Sequence, residues 1–148
     1  MEKTPIGLQI KQTSHCIRRY IDEYINKNLN LDFTGTEGLA LGRIMAFFKN
    51  HPGEILNPCD VVGFMNINKS AASKLLTNLE SKGYIETFKD EEDGRSKKIL
   101  LTQKSIELKD EFQKCFNSID KEIESCLSNK DIEDLTRLLN TIQSHLAD

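Results

Sequence analysis

Residues 57–102 read NPCDVVGFMNINKSAASKLLTNLESKGYIETFKDEEDGRSKKILLT, and the architecture of the chain follows from this stretch. Asn57 and Pro58 open a short helix, because asparagine caps helix N-termini and proline suits the first helical position. After a turn, Asn68 caps a second helix that continues to Lys82, and the glycine that follows is a common helix terminator. The pattern therefore predicts two helices joined by a tight turn.

The second helix is predicted to have an apolar face and a polar face. Its apolar residues recur at helical spacing and should pack inward: Ala72, Leu75, Leu76 and Leu79. The outward face of its N-terminal half is short and polar. A recognition helix needs such a face, because large side chains would keep the backbone out of the major groove of DNA. A helix that only faces water would more often carry Glu–Lys pairs.

Two strands are predicted after these helices, at residues 84–89 and 97–102, from their β-branched, aromatic and aliphatic content. The loop between them is rich in turn-forming residues, with Asp93 and Gly94 near its tip. Two helices followed by a hairpin with a basic tip are typical of a winged helix-turn-helix. The hairpin is the wing.

The run INKSAASKLLTNLESKGYIE at 67–86, followed by DGRSKKILLT at 93–102, resembles the MarR family of bacterial transcription regulators. The second piece is the more diagnostic, since the family's wing carries Asp-x-Arg and then a strand that ends in Leu-Thr. The resemblance covers nearly the whole chain. It implies an α+β, mainly α fold, in which a single MarR-like domain spans 1–148. Within it, dimerisation helices at 1–33 and 103–148 flank a winged helix-turn-helix at 34–102.

The flanking segments show helical periodicity of their own. We predict a helix over 9–28, a buried helix from a cap at Thr34 or Thr36 to about residue 49, and a long helix that Thr102 caps and that continues to about residue 127. Ser128 and Asp131 resemble a capping box for a last helix. Residues 6–8 are expected to be loosely ordered unless a partner chain covers them. By the resemblance, residues 54–56 pair with the wing as a third strand.

The terminal helices carry more apolar surface than one small winged helix can cover, which favours a homodimer over packing within one chain. In the resembling family, the first and the last two helices intertwine to form that dimer. A two-fold dimer would also suit a palindromic DNA site.

Composition and charge describe a protein that is expected to remain in the cytoplasm. Hydrophobic residues make up 38% and charged residues 29% of the chain, with no signal peptide or membrane span apparent. The net charge of −3 opposes DNA binding only weakly, because the acidic residues are unevenly placed. Residues 65–102 carry seven Lys/Arg against six Asp/Glu, whereas 103–148 carry six against ten.

The predicted DNA contacts come from the second helix and the wing. Six residues would enter the major groove: Asn68, Lys69, Ser70, Ala71, Ser73 and Lys74. Asn78 and Lys82 lie further along the helix and are expected to meet backbone phosphate. The alternative for the serines is that they are only solvated helix positions.

The wing is expected to contribute Arg95, which by the resemblance inserts into the minor groove, where narrow A·T-rich stretches attract arginine. Asp93 would steady this arginine, and the alternative is an exposed salt bridge of little energetic value. Lys97 and Lys98 serve either as phosphate contacts or for solubility. Glu91 and Glu92 should repel phosphate, and we interpret them as modulating DNA affinity.

Regulators that resemble this chain commonly bind a small aromatic or anionic effector between the dimer helices and the winged helix. Candidates for such a pocket are His15, Arg18, Arg19, Phe47, Phe48 and His51, although each residue type is more often structural. Cys16 suggests an alternative, oxidant sensing, because one branch of the family uses a first-helix cysteine. Here Cys16 lies closer to the second helix than that cysteine, and Gly35 replaces a helping tyrosine.

Other functional classes find less support in the sequence. The cysteines, Cys16, Cys59, Cys115 and Cys126, form no C-x-x-C pair and are expected to be reduced, most of them buried. The histidines lack metal-ligand spacing, so no metal or cofactor is expected. No nucleophile elbow, P-loop or supported carboxylate pair indicates an enzyme. A winged helix that docks a protein instead of DNA remains the alternative from another class.

Overall fold

The computed structural model describes residues 2–89 and 97–147. Its elements in chain order are α1 (Ile6–Leu29), α2 (Glu37–Asn50), α3 (Pro58–Met65), α4 (Lys69–Ser81), β1 (Ile85–Lys89), β2 (Lys97–Leu101), α5 (Gln103–Glu124) and α6 (Asn129–Leu146). The chain divides into two compact units, Met1–Cys115 and Phe116–Asp148. The mainly helical fold with a small antiparallel sheet confirms the predicted fold class.

The first helix begins earlier than the apolar periodicity predicted. Pro5 occupies the N-cap with φ −55°, and the Gln9 amide donates to the Pro5 carbonyl at 3.0 Å. The expectation of a loosely ordered segment at 6–8 is therefore wrong. Ile6 and Leu8 are helical although both are exposed, and the carbonyl of the N-cap residue Pro5 accepts the first hydrogen bond of the helix.

The helix-turn-helix is built from local caps, as the sequence predicted. In α3, Asn57 and Asp60 form a reciprocal capping box with two hydrogen bonds of 3.0 Å. Asn66 then takes a left-handed conformation at φ 55°, which asparagine tolerates better than most residues, and turns the chain towards α4. The Asn68 side chain accepts a 2.7 Å hydrogen bond from the Ala71 amide and begins α4.

The wing is an antiparallel pair in which Ile85 is opposite Leu101 and Lys89 is opposite Lys97. The third strand implied by the family resemblance is present as a single bridge. There the Ile99 amide donates to the Leu56 carbonyl at 2.8 Å. Both of these side chains are fully buried, so the bridge ties the segment before α3 to the wing.

The core of the first unit lies between α1, α2, the helix-turn-helix, the wing and the start of α5. Its largest fully buried side chains are Ile25, Leu41, Ile44, Leu56, Leu79, Tyr84, Ile85, Ile99 and Phe112. Phe33, in the connection between α1 and α2, packs its ring 4.9 Å from that of Tyr84 and 6.0 Å from that of Phe112. These contacts hold the end of α4 against the connection and α5.

The second unit contains the end of α5 and all of α6. Helix α5 ends at Glu124, so the predicted extension to about residue 127 is wrong. The capping box of α6 is confirmed: Ser128 accepts from the Asp131 amide, and the Asp131 carboxylate accepts from the Ser128 amide. No residue of α6 is buried within the single chain.

The expectation that most cysteines are buried is also wrong. Only Cys115 is buried, while Cys16, Cys59 and Cys126 are exposed. None of the three exposed cysteines belongs to the buried apolar residues of its segment. Helical periodicity indicated only approximately which side of the helix each of them occupies. Burial raises the pKa of the Cys115 thiol, which keeps it protonated. In the described ranges, no helix has both the length and the apolarity needed to cross a membrane.

Candidate nucleic-acid interface

Helix α4 is anchored by its inward face. Ala72, Leu75, Leu76 and Leu79 are all buried, which confirms the predicted apolar face. Because protein interiors are closely packed, burial of this face fixes the rotation of the helix about its own axis. The outward residues of α4 are therefore presented in one orientation.

The predicted major-groove residues lie together on the exposed N-terminal half of this helix. Lys69, Ser70, Ala71, Ser73 and Lys74 are all exposed. Within the part of the chain that the structure describes, neither lysine takes part in an ion pair. Asn68 is exposed as well, but its Oδ1 atom caps the helix, so only its amide nitrogen could face a ligand. Asn78, nearer the end, is half-buried.

Lys82, in contrast, is not placed for the phosphate contact that the sequence suggested. Its Nζ atom lies 2.7 Å from the Glu37 carboxylate and 3.0 Å from the carbonyl oxygen of Asp32. The hydrogen bond with Glu37 raises the pKa of the Lys82 ammonium. Because Glu37 is buried, it binds the nearest cation, and the charge of Lys82 is held within the fold.

A second contact joins α4 to the wing. The Glu80 carboxylate accepts from the backbone amide of Thr87 at 3.2 Å and from its hydroxyl at 3.0 Å. This contact ties the last turn of the helix to the middle of β1. The wing is thereby held at a defined place beside the exposed face of α4.

A groove of about 400 Å³ separates α3 and α4 from the wing. Its lining includes Lys69 and Ser73 of α4 and Lys97 of β2. Lys69 and Lys97 therefore border one concave surface, although 28 positions separate them in the chain (97 minus 69). Glu80 also lines this groove, but its carboxylate is bonded to β1. The rest of the lining is mixed, with the polar side chains of Asn57, Thr77 and Thr87 and the apolar ones of Pro58, Val62, Ala72 and Leu76. The two lysines are the groups of this lining that suit an anionic ligand.

The tip of the wing lies outside the described residues. Arg95 and Asp93 belong to it, as do Glu91 and Glu92, so the expectations for these four stay predictions. Lys97, the first residue of β2, is exposed, and Lys98 beside it is half-buried.

The effector candidates fall into two groups. Phe47 contacts both Phe48 and His51 at the end of α2, since its ring lies 5.5 Å from that of Phe48 and 4.9 Å from that of His51. His15, Arg18 and Arg19 are exposed on α1, and Arg19 pairs with Glu23 at 3.8 Å. The structure thus brings three of these candidates together as an aromatic cluster. Cys16 is exposed on the same helix as His15 and Arg19.

Residues that support the interface were not predicted from the sequence. Glu37 is 2% exposed, a rare burial for a glutamate, and Thr87 is the partner of Glu80. Asp22 in α1 lies near Glu37, and its pKa is raised from 3.8 to about 6, first by burial and second by the Glu37 charge. A weak signal for Glu37 existed, since it stands three residues after Thr34 as in a capping box.

The sequence and the fold are similar to those of known proteins. Residues 50–97 match the model of the MarR family. The structure of the S. aureus MepR–DNA complex is similar over 97% of this chain and 99% of that chain, with 26% identity and a TM-score of 0.82. S. aureus MepR in its DNA-binding conformation gives 26% identity, the same coverage and a TM-score of 0.73. No curated protein matches the sequence.

A further solved structure shares the fold. A mutant of E. coli MarR complexed with operator DNA is 20% identical, with 93% of both chains covered and a TM-score of 0.77. The matched segment 50–97 contains α3, α4 and β1 and reaches the first residue of β2. The resemblance noted in the sequence is therefore confirmed: the helix-turn-helix matches the MarR family, and nearly the whole chain has the fold of MarR-family regulators.

Proposed function

We propose that this protein is a sequence-specific DNA-binding transcription regulator that acts as a homodimer on a palindromic promoter site. In this proposal α4 enters the major groove, and the wing follows the adjacent minor groove with Arg95. Binding represses transcription by excluding polymerase, and a small aromatic or anionic effector releases the DNA. The family match, together with the DNA complex of the similar MepR structure, supports the DNA-binding part.

The observation that carries the proposal is the outward face of α4. Lys69, Ser70, Ala71, Ser73 and Lys74 are exposed and short or flexible, while the opposite face is fixed in the core. Serine hydroxyls can donate or accept at base edges, an alanine methyl can contact thymine, and lysine can reach guanine or phosphate. A face meant to dock a protein would be expected to carry large apolar residues. This face carries none among its five exposed positions.

The dimer is supported by apolar surface that a single chain leaves exposed. On α6, Leu135, Leu138 and Ile142 are 45%, 47% and 37% exposed, and they recur at helical spacing on one side. On α1, Ile6 is 68% and Leu8 is 47% exposed. The α6 residues form an apolar stripe of the kind that usually marks an interface, and paired two-fold chains are the commonest oligomers.

An effector site is supported by the aromatic cluster at the end of α2, where the half-buried rings of Phe47 and Phe48 could stack on a flat ligand beside His51. The groove beside α4, with Lys69 and Lys97, is a second place where an anion could act. Oxidant sensing through Cys16 is the alternative proposal. The exposure of that thiol favours it, because an oxidant must reach the sulfur.

The test is enrichment of random duplex DNA on the purified protein, followed by sequencing, at two salt concentrations. We expect an inverted repeat with half-sites about one helical turn apart, or a multiple of that, because a two-fold dimer presents two copies of α4. Sedimentation equilibrium on the same sample should give twice the chain mass of 16.9 kDa. A monomer, or enrichment of no motif at the lower salt concentration, would contradict the proposal.

A further inference from the structure

We propose that Glu37 and Lys82 are positioning residues for DNA binding: the ion pair between the buried Glu37 and the half-buried Lys82 holds the end of the recognition helix α4 against the connection between α1 and α2. This inference rests on the proposed DNA-binding function. Neither residue is assigned a contact with DNA. Their role is to set the orientation at which the exposed half of α4 meets the major groove.

The pair is short, and its carboxylate is shielded from water. The Lys82 Nζ atom lies 2.7 Å from a carboxylate oxygen of Glu37, and the side chains are 26% and 3% exposed. The same ammonium donates to the Asp32 carbonyl at 3.0 Å. Lys82 is the C-cap residue of α4, and Glu37 is the first residue of α2. One cation therefore joins three pieces of structure: the connection, the start of α2 and the end of α4.

Other contacts at the same place also restrict the end of α4. Lys104 of α5 donates to the Lys82 carbonyl at 2.9 Å, and its ammonium lies 4.2 Å from the centre of the Tyr84 ring. The Ser105 hydroxyl donates to the Tyr84 carbonyl at 2.6 Å. The end of α4 is thus held by α5 as well as by the Glu37 carboxylate. Loss of the Glu37 contact would remove one of these two restraints.

The surroundings of Glu37 make the pair difficult to replace by water or by another group. Asp22 lies close enough that the Glu37 charge disfavours its ionisation, and the Asp22 Oδ1 atom is buried without a hydrogen-bond partner among the described residues. A charge beside a second carboxyl group in a buried site requires its cation, because an unpaired buried charge is costly. Thr34 supplies a hydroxyl to Glu37 at 2.8 Å, which restricts its rotation further.

Substitution of Glu37 separates positioning from simple electrostatics. Glu37→Gln removes a negative charge, so electrostatics alone predicts unchanged or tighter binding to the DNA polyanion. If the pair positions α4, the same change weakens binding, by about fivefold, or roughly 1 kcal/mol. Glu111→Gln is the matched control, because it removes the same charge from an exposed pair with Lys114, whose closest atoms are 3.8 Å apart. This control is expected to bind as the wild type does, or slightly more tightly.

Two further variants test the pair itself. Lys82→Gln should weaken binding without changing the salt dependence, since a residue that releases no counterion leaves the slope of log affinity against log salt unchanged. The double variant Glu37→Gln/Lys82→Gln should lose less than the sum of the two single losses, because its two amides can still bond to each other. Hydrogen exchange of the amides at 78–84 in the DNA-free protein reports whether the end of α4 is released.

The outcomes are distinct. Weaker binding by Glu37→Gln with faster exchange at 78–84, in protein that melts as one cooperative transition, supports the positioning role. Binding by Glu37→Gln at or above the wild-type affinity overturns it. If Glu37→Gln does not fold, a Lys82→Gln slope that is shallower by about 0.9 assigns Lys82 to phosphate and overturns it equally. If the wild type itself enriches no DNA, the proposed function fails, and this inference fails with it.

Discussion

Lys69 and Lys74 at the start of α4 and Lys82 at its end carry the same charge, but their surroundings differ. The first two are exposed, whereas the third is bonded to the buried Glu37 carboxylate. Position along the helix alone groups Lys82 with Asn78 as a phosphate contact. Because an acidic group of the fold within reach can bind a lysine, position along the helix does not by itself decide which basic residues of α4 are left for a ligand.

The largest effect, a loss of stability, is expected from a substitution on the buried face of α4. Leu79 is fully buried, so Leu79→Ala should destabilise the protein by about 2–5 kcal/mol through lost burial and a residual cavity. Urea denaturation measures this loss. Thr77→Ala, on the exposed side of the same helix, should change stability by less than about 0.5 kcal/mol. Equal losses of stability for Leu79→Ala and Thr77→Ala would contradict the assignment of only one of these faces to the core.

The next largest effect is expected in the wing, which is proposed to contact DNA together with the N-terminal half of α4. Arg95→Ala should weaken binding to the enriched DNA site by about 1–3 kcal/mol, with the dimer unaffected. Fluorescence anisotropy gives the affinity, and sedimentation equilibrium gives the oligomeric state. An unchanged affinity would remove Arg95 from the interface and leave α4 as its main element.

Salt dependence contrasts the two lysine environments directly. Lys74→Ala should weaken binding and make the slope of log affinity against log salt shallower by about 0.9, because one phosphate contact is lost. Lys82→Gln should leave that slope unchanged. Anisotropy titrations over a series of salt concentrations measure both slopes. A Lys74→Ala slope equal to that of the wild type would argue against its phosphate role.

The smallest effect is expected in the pH dependence of the free energy of unfolding, through Asp22, which lies near the Glu37 carboxylate that binds the end of α4. The pKa of Asp22 is raised from 3.8 to about 6, mainly by burial. A neutral Asp22 therefore stabilises the folded state fully below pH 3.8, and this contribution is lost as the pH rises through about 6. Asp22→Asn, which stays neutral, should exceed the stability of the wild type by about 1 kcal/mol near pH ~7.5, after a discount for the partly exposed carboxyl.

Urea denaturation on either side of this titration, near pH ~4 and pH ~7.5, tests the sign of the prediction. The advantage of Asp22→Asn should be small at the lower pH and larger at the higher one. Asp110→Asn, on an exposed face of α5, is the control and should show no such change. A constant difference between Asp22→Asn and the wild type at both pH values would contradict the pKa assignment.

Much of the fold could be predicted because its signals are local. The caps at Asn57, Asn68 and Ser128 are hydrogen bonds to the backbone three residues away, so each is visible in a few consecutive residues. The apolar face of α4 was equally visible, since four residues at helical spacing share one side of the helix. The exposed residues of the proposed interface followed from it as the remaining face.

The wrong predictions arose where only the spacing of apolar residues was available to locate a helix end or to assign a side chain to the core. Helix α1 begins at Ile6, directly after the N-cap residue Pro5, whereas the apolar pattern starts later. Three cysteines are exposed although burial was expected. The prediction failed because the moderate hydrophobicity of cysteine does not indicate which side of a segment faces the core. The third strand is limited to one bridge at Leu56, which no local pattern could have indicated.

The amino-acid sequence alone is enough to place the helices and strands and to indicate which face of α4 turns outward, because caps, turns and helical spacing act over three or four residues. Which charges remain available depends instead on tertiary packing. Lys82 and Glu37 are 45 positions apart, and their pairing depends on how α1, α2 and α4 pack. Burial then makes that pair obligatory, because a buried carboxylate needs a partner. The same packing brings Lys69 and Lys97 to one groove.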